Sequence, residues 1–258
     1  RPHHPERSMS RTVCWFSKGA PSAIAAKLTI DAQGHDAVTV AYCDTGSEHP
    51  DGVRVLAQVE QWLDHPITII RSDTYRDTWD VWERRRFLTG PHGAPCTVEL
   101  KKKPRFRFER PDDIQIFGYT DDPRDRKRAA RFAEQNPGVD CRFPLIDNNL
   151  NRADCLALFE RHVGPLQAMY RLGYPNNNCI PCVHGGLGYF NSIRRDFPES
   201  FDRMARLERD LGHALHREDD GTPIWLDELD PDRGDMTTEP DFTCSLNCAV
   251  VEAGWEAA

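Results

Sequence analysis

Thr12-Val13-Cys14-Trp15-Phe16-Ser17-Lys18-Gly19-Ala20-Pro21-Ser22 reads as a strand that breaks into a tight turn. Residues 23–30 follow with Ala, Ile and Leu at helical spacing. Pro21 suits the first turn of that helix, where its missing N–H leaves no intrahelical bond unmade. The strand–helix alternation then continues. Residues 37–43 are a second β-rich run ending in Asp44-Thr45-Gly46, and 53–63 carry a helical apolar pattern. Ile67–Ile70 reads as a third strand and 113–119 as a fourth, through Ile114, Ile116 and Phe117. A charged helix is expected over 124–135, with Ala129, Ala130 and Phe132 facing inward, and a fifth strand over 142–146. Residues 151–163, 165–172 and 190–211 have helical patterns. Strands alternating with helices give an α/β fold with a parallel sheet flanked on both faces. Acidic and turn-forming residues dominate 217–240, which reads as a mobile tail ending in Cys244-Ser245-Leu246-Asn247-Cys248.

The chain has 258 residues, 39% hydrophobic and 29% charged, enough for one large α/β domain with an appendage. We expect residues 1–8 to be foreign to the native chain, with Met9 a plausible start, a nucleotide-binding domain over 9–185, and a helical extension with tail over 186–258. No run approaches the apolar length that spans a bilayer, and the polar N-terminus lacks a signal peptide's apolar core. Nine cysteines, odd in number and unevenly spaced, fit a reducing cytoplasm better than a secreted disulfide framework. The net charge of −8 disfavours a protein that coats nucleic acid indiscriminately.

Three cysteines stand apart. Cys96 opens Cys96-Thr97-Val98-Glu99-Leu100-Lys101-Lys102-Lys103-Pro104, and Cys179-Ile180-Pro181-Cys182 is a C-x-x-C preceded by three asparagines and followed by Val183-His184-Gly185-Gly186. A C-x-x-C lets two thiolates converge on one metal centre, and a distant third completes three corners of a zinc or iron–sulfur site. A dithiol redox pair is the alternative, and buried structural thiols are the plain one.

Ser17, Lys18, Gly19 and Ser22 sit where backbone N–H groups at a helix N-terminus can hold anionic oxygens. The loop lacks the G-K-[ST] of a Walker motif. Asp44 and Gly46 follow the second strand, at the edge where open α/β sheets bind ligands. The basic run Lys101, Lys102, Lys103, Arg105, Arg107 and Arg110 interleaves with Phe106 and Phe108. That composition suits base stacking along a polyanion, or, as the reading preferred here, a solvated edge strand protected by charge. Arg126 is a phosphate contact or part of a salt-bridged helix face. His49 and His184 lie nearest the motifs and read as structural.

These pieces together resemble the phosphoadenosine phosphosulfate (PAPS) reductase family, within the PP-loop adenine-nucleotide fold. The matching segments are Ser17 to Ser22, Asp44-Thr45-Gly46, Gly118 with Asp122-Pro123-Arg124-Asp125-Arg126, and Gly173-Tyr174 with Cys179-Ile180-Pro181-Cys182. The resemblance covers about the first 185 residues and implies a five-stranded parallel sheet binding an adenine nucleotide at its carboxyl edge. Adenylylsulfate reductases of this family hold a [4Fe–4S] cluster with a tandem cysteine, a lysine, a proline and a C-x-x-C. Cys96, Lys101, Pro104, Cys179 and Cys182 match, while Thr97 replaces the second cysteine. The resemblance thus implies three cluster ligands, with one iron open or ligated by Cys244, Cys248, Cys155 or substrate. Lys18 and Pro21 depart from the Ser-Gly-Gly-x-Asp-Ser loop of the ATP-cleaving enzymes, as the loops of PAPS reductases do. The reductases' Glu-Cys-Gly nucleophile motif is missing, and Cys244 and Cys248 lie in its region.

The expected function is thiol-dependent reduction of adenylylsulfate or PAPS to sulfite, with Cys244 or Cys248 as nucleophile, Lys101 beside the cluster, and a thiol reductant as partner. The second expectation is an ATP-dependent sulfurtransferase with a sulfur-donor protein and a nucleic-acid acceptor, which is not favoured. The third is a non-catalytic nucleotide- or zinc-binding module.

Overall fold

The computed structural model describes residues 10–91, 93–240 and 242. The chain forms two compact units, each assembled from three stretches. The first takes the chain up to Tyr42, then Val53–Ile70 and Phe106–Leu166; the second takes Cys43–Gly52, Arg71–Arg105 and the chain from Gln167 onward.

The first unit is built on a five-stranded sheet of β1 (Thr12–Phe16), β2 (Val38–Cys43), β3 (Ile67–Ile70), β4 (Ile114–Ile116) and β5 (Asp140–Arg142), in the order β3-β2-β1-β4-β5. Thr12 pairs with Val38 on one side and Ile114 on the other, and Ile114 with Asp140, all in parallel. Every residue of β1 is buried, as a central strand covered on both faces requires. The helix Ala20–Gln33 presses Ala20, Ala23 and Ala26, all fully buried, into the core, where the small side chains allow close approach. Val40, Val55, Val59, Leu63, Leu145 and Phe159 fill the same core. The helix Arg152–His162 starts at a capping box in which Asn151 and Asp154 accept each other's backbone N–H. Because β1 lies between β2 and β4, the chain leaves it in opposite directions, and the carboxyl ends of β1 and β4 form the sheet's switch point.

The fifth strand is Asp140–Arg142, not 142–146. Pro144 has no N–H for a ladder and instead opens the short helix Pro144–Asp147.

The second unit is helical and irregular. Its elements include Thr78–Arg85, Ala168–Arg171, Leu187–Asp196, Pro198–Leu211, a two-stranded ribbon of His216–Arg217 with Pro223–Ile224, and a 3₁₀ turn at Leu226–Glu228. Trp82, Leu88, Met169, Phe190, Ile193, Met204 and Leu226 form its core. Four expectations are corrected here and in the basic run. The helix expected over 190–211 is two helices, broken where Phe197 takes a non-helical backbone before Pro198. That over 165–172 shrinks to Ala168–Arg171. The basic run is not an edge strand: Pro95–Thr97, a π turn at Val98–Lys102 and Lys103–Phe108 run end to end as helix, with Lys102 and Arg105 buried. Residues 217–240 are not a mobile tail, because Ile224, Leu226 and Leu229 are buried in the core and fasten the segment.

Candidate nucleotide loop and cysteine site

In the first unit the loop after β1 is a closed hydrogen-bonded turn. The Ser22 hydroxyl donates to the Gly19 carbonyl (2.9 Å) and accepts from the Ser17 N–H (3.1 Å). Its hydrogen is then used, so the Ser17 hydroxyl donates to Ser22 Oγ at 3.1 Å. Lys18 adopts a left-handed backbone (φ 55°) and lays its ammonium 4.2 Å from the centre of the Tyr42 ring, a cation–π contact. Gly19 caps the helix Ala20–Gln33 without a side-chain bond, and no acidic residue lies in the first turn. The first turn of the helix therefore sets no carboxylate of its own against the positive end of the helix dipole.

The loop after β4 meets this turn at the switch point. Gly118 lies so close that a Cβ there would be 2.7 Å from Ser22 Cα and 2.8 Å from its nitrogen. Beyond it, the Thr120 hydroxyl donates to Asp122 (2.7 Å), whose carboxylate also accepts from the Arg152 N–H (2.9 Å). Arg126 is ion-paired with Asp121 on an exposed face. Cys155 is fully buried in this unit's core, and burial together with Asp154 and Asp122 pushes its thiol up to about 12. It is an inert core thiol, as is Cys14, pushed up to about 12 by burial.

In the second unit, Asp44 accepts from the Gly46 N–H (3.0 Å) and from Arg71 Nε (3.0 Å). Gly46 has φ 65°, and a Cβ there would lie 2.4 Å from the Arg76 carbonyl oxygen. Thr45, and Ser47, which the sequence reading did not single out, tie this segment to the C-x-x-C. The Thr45 hydroxyl is 3.1 Å from Cys179 Sγ, and the Ile180 N–H donates to the Ser47 carbonyl at 2.8 Å. Glu48 and Cys179 form an isolated antiparallel bridge.

Cys179 and Cys182 are buried, and Cys182 belongs to the second unit's apolar core, against which the half-buried Cys96 also packs. Lys101 lies on the π turn, half-buried, and its carbonyl accepts the Cys43 thiol at 3.7 Å. Trp82, in the same core, has an indole N–H with no hydrogen-bond partner among the described residues. A buried donor without an acceptor is unfavourable by about 1–3 kcal/mol. Thiols in an apolar shell are the donor type an iron–sulfur group takes. Among the described residues, however, no three His, Cys, Asp or Glu side chains are gathered as a metal-binding set. Cys244 and Cys248 lie outside the described residues. His49 Nδ1 accepts the Asp51 N–H at 3.0 Å. No helix among the described residues is long and apolar enough to cross a membrane.

No family model matches the chain. A curated relative, an uncharacterized protein of Methanocaldococcus jannaschii, is 22% identical over 212 residues, which is 76% of this chain. The chain spans 41% of that relative's length. Among solved structures, the chain is similar to phosphoadenylyl-sulfate (PAPS) reductase from Candida auris in its phosphate complex. The identity is 14%, the TM-score 0.49, and the match covers 67% of this chain and 82% of that one.

Proposed function

We propose that this chain binds an adenine nucleotide and carries out sulfur chemistry on it, as a reductase of adenylylsulfate or PAPS. The observation that carries the reading is the uncapped turn Ser17–Gly19 at the switch point, with a glycine from the β4 loop closing against it. Ser17, Gly19 and Ser22 would cradle the phosphate or sulfate oxygens, with Lys18 on Tyr42 adding positive charge. Asp44 and Gly46 would shape the adenosine side. Arg126 would contact phosphate only by leaving Asp121. Cys96, Cys179 and Cys182 would hold a [4Fe–4S] cluster, with Lys101 beside it, once the three thiols are drawn together. Such a cluster, when bound, supplies a redox-capable iron centre held by thiolates.

Cys244 or Cys248 would be the nucleophile. Its thiolate would attack the sulfate sulfur, forming an S–S bond as the S–O bond to the phosphate breaks and the nucleotide departs. A thiol reductant would then attack that cysteine's sulfur, expelling sulfite and leaving a mixed disulfide, and a second thiol would reduce the disulfide to restore the cysteine. Lys18 and Pro21, which depart from the loop of the ATP-cleaving enzymes, favour the reductase reading over the sulfurtransferase; Lys102 and Arg105 of the basic stretch are buried, while Lys103, Arg107 and Arg110 are exposed.

Turnover assays with a thiol reductant test this directly. Sulfite release from either sulfonucleotide, lost in Cys244→Ser or Cys248→Ser while binding persists, is the expected result. Acceptor-dependent ATP cleavage without sulfite would overturn it in favour of sulfur transfer. Protein prepared without oxygen should absorb broadly in the visible and lose that absorbance in Cys179→Ser. Stoichiometric zinc and no iron would sink the cluster assignment.

A further inference from the structure

The His-Gly-Gly that follows the C-x-x-C has no part in the chemistry above, yet the structure gives each glycine of Gly185-Gly186-Leu187-Gly188 a steric task. A Cβ on Gly185 would lie 1.9 Å from Tyr189 Cδ1, so only glycine admits the tyrosine ring there. Cβ atoms on Gly186 and Gly188 would meet the Glu239 carboxylate and the Met236 backbone nitrogen, each at 2.4 Å. The ring admitted in this way is fully enclosed. Tyr174 (5.8 Å), Phe190 (5.3 Å) and Phe242 (5.0 Å) all meet it edge to face.

Its hydroxyl ends on the cysteines. Tyr189 Oη accepts the Cys182 N–H at 2.8 Å and lies 3.3 Å from the Cys179 carbonyl oxygen, to which it donates. One hydroxyl thus bridges the backbones of both halves of the C-x-x-C. The base of the ring is held from the other side. Glu239 accepts the Tyr189 N–H at 3.1 Å and also the Gly188 N–H, while Asn176 and Asn178 hold the Phe242 carbonyl at 3.0 and 3.2 Å. Asn176 and Asn178 lie three residues and one residue before Cys179, so the Phe242 backbone and the thiol pair are fastened to the same segment.

We propose that Tyr189 is the positioning residue of the thiol pair, its hydroxyl fixing the backbones of Cys179 and Cys182 so that both thiols present to one ligand atom. This rests on the reading of those cysteines as a working pair, and it does not require that the ligand be iron.

Phenylarsine oxide is the probe that separates the two. Its arsenic forms two As–S bonds with a convergent dithiol and releases water, whatever metal the site holds. The full-length chain, prepared reduced and metal-free, should capture it rapidly, and Cys179→Ser should remove that fast phase. Tyr189→Phe keeps the ring and deletes only the bridge; it should retain the near-ultraviolet circular dichroism and slow capture by about tenfold or more. In a second arm, cobalt(II) added to the same proteins should give thiolate-to-cobalt absorption in the wild type. Tyr189→Phe should bind cobalt about 10- to 100-fold more weakly, the usual effect of removing a group that orients ligands. Should Tyr189→Phe fail to fold, amide hydrogen exchange in the wild type decides. A Cys182 N–H as protected as the core amides supports the bridge, and rapid exchange overturns it. Capture at the wild-type rate by Tyr189→Phe, or no fast capture by the wild type, also overturns the proposal. Absent cobalt–thiolate absorption alongside the expected arsenical result would remove the metal reading and leave the positioning role standing.

Discussion

Gly118→Ala is the sharpest test of the nucleotide loop, because Gly118 touches no proposed ligand and acts only by how closely it lets two backbones approach. The new methyl would sit 2.7 Å from Ser22 Cα, 2.8 Å from Ser22 nitrogen and 3.1 Å from the Pro21 carbonyl carbon, where ordinary contact begins near 3.4 Å. All three are backbone atoms of a buried helix start, so no side chain can swing away. The loops must part by about 0.7 Å. Overpacking of this kind is destabilising by about 1–3 kcal/mol, which in a chain of this length lowers Tm by roughly 2–12 °C. The ligand effect is separate. A nucleotide at about 100 times its Kd stabilises the wild type by about 2.7 kcal/mol. A displaced cradle that loses at least tenfold in affinity forfeits about 1.4 kcal/mol of that. Differential scanning fluorimetry with adenylylsulfate, ATP and adenosine reads both effects. Gly138→Ala is the matched control, since a Cβ there meets nothing within 4 Å. If Gly118→Ala keeps both the wild-type Tm and the wild-type nucleotide shift, the close approach has no bearing on a binding site and the reasoning fails.

Ser22→Ala strips the acceptor from both the N–H and the hydroxyl of Ser17, so urea titration should show a loss of about 1–3 kcal/mol; a change under about 0.5 kcal/mol would mean the turn does not depend on it. Gly46→Ala should be more damaging than an ordinary loop change, because it combines φ 65° with a 2.4 Å approach to the Arg76 carbonyl; unaltered thermal stability would contradict this. Glu208 is fully buried, accepts the N–H groups of Leu215 (2.6 Å) and Leu226 (2.9 Å), and is pushed up to about 7, chiefly by burial. Its folded value lies above the unfolded one of about 4.5, so its contribution is complete below pH 4.5 and is lost as pH rises toward and through 7. Glu208→Gln, which does not titrate, should gain stability relative to wild type between pH 5 and 8; a difference that stays flat with pH would refute the assignment.

The sheet was legible because its signals are local. Each of the first four strands lies within an apolar run punctuated by Gly, Pro or Asp, and the helix faces repeat at 3.6 residues. The fifth strand was misplaced because Phe143, Leu145 and Ile146 look β-compatible, while Pro144 decides that the ladder ends before them. The second unit was harder for a different reason. Its core is assembled from residues far apart in sequence, among them Trp82, Met169, Phe190 and Leu226, and no periodicity in one window reports such an assembly. Residues 217–240 read as a tail because nine acidic side chains outnumber five large apolar ones, yet Ile224, Leu226 and Leu229 are buried in the core.

The site divides along the same line. Ser17, Gly19 and Ser22 were recognisable because a turn between strand and helix needs small hydroxyl and glycine residues, and their hydrogen bonds close among themselves. Cys179 and Cys182 were recognisable by spacing. What spacing could not supply is the support beneath them. Thr45 reaches Cys179 from 134 positions away, and Tyr189 bridges the pair only because Gly185 leaves room for its ring. A glycine run after a C-x-x-C is therefore informative in a particular way. It marks where other backbones or rings must press close, and the groups that press, here Tyr189, Met236 and Glu239, hold the thiols' supporting chain in place. Lys102 and Arg105 argue the converse. Their charge suggested a solvated strand, but a helix whose buried face carries long basic side chains can bury their aliphatic stems and engage their charged ends, so composition alone misread their exposure.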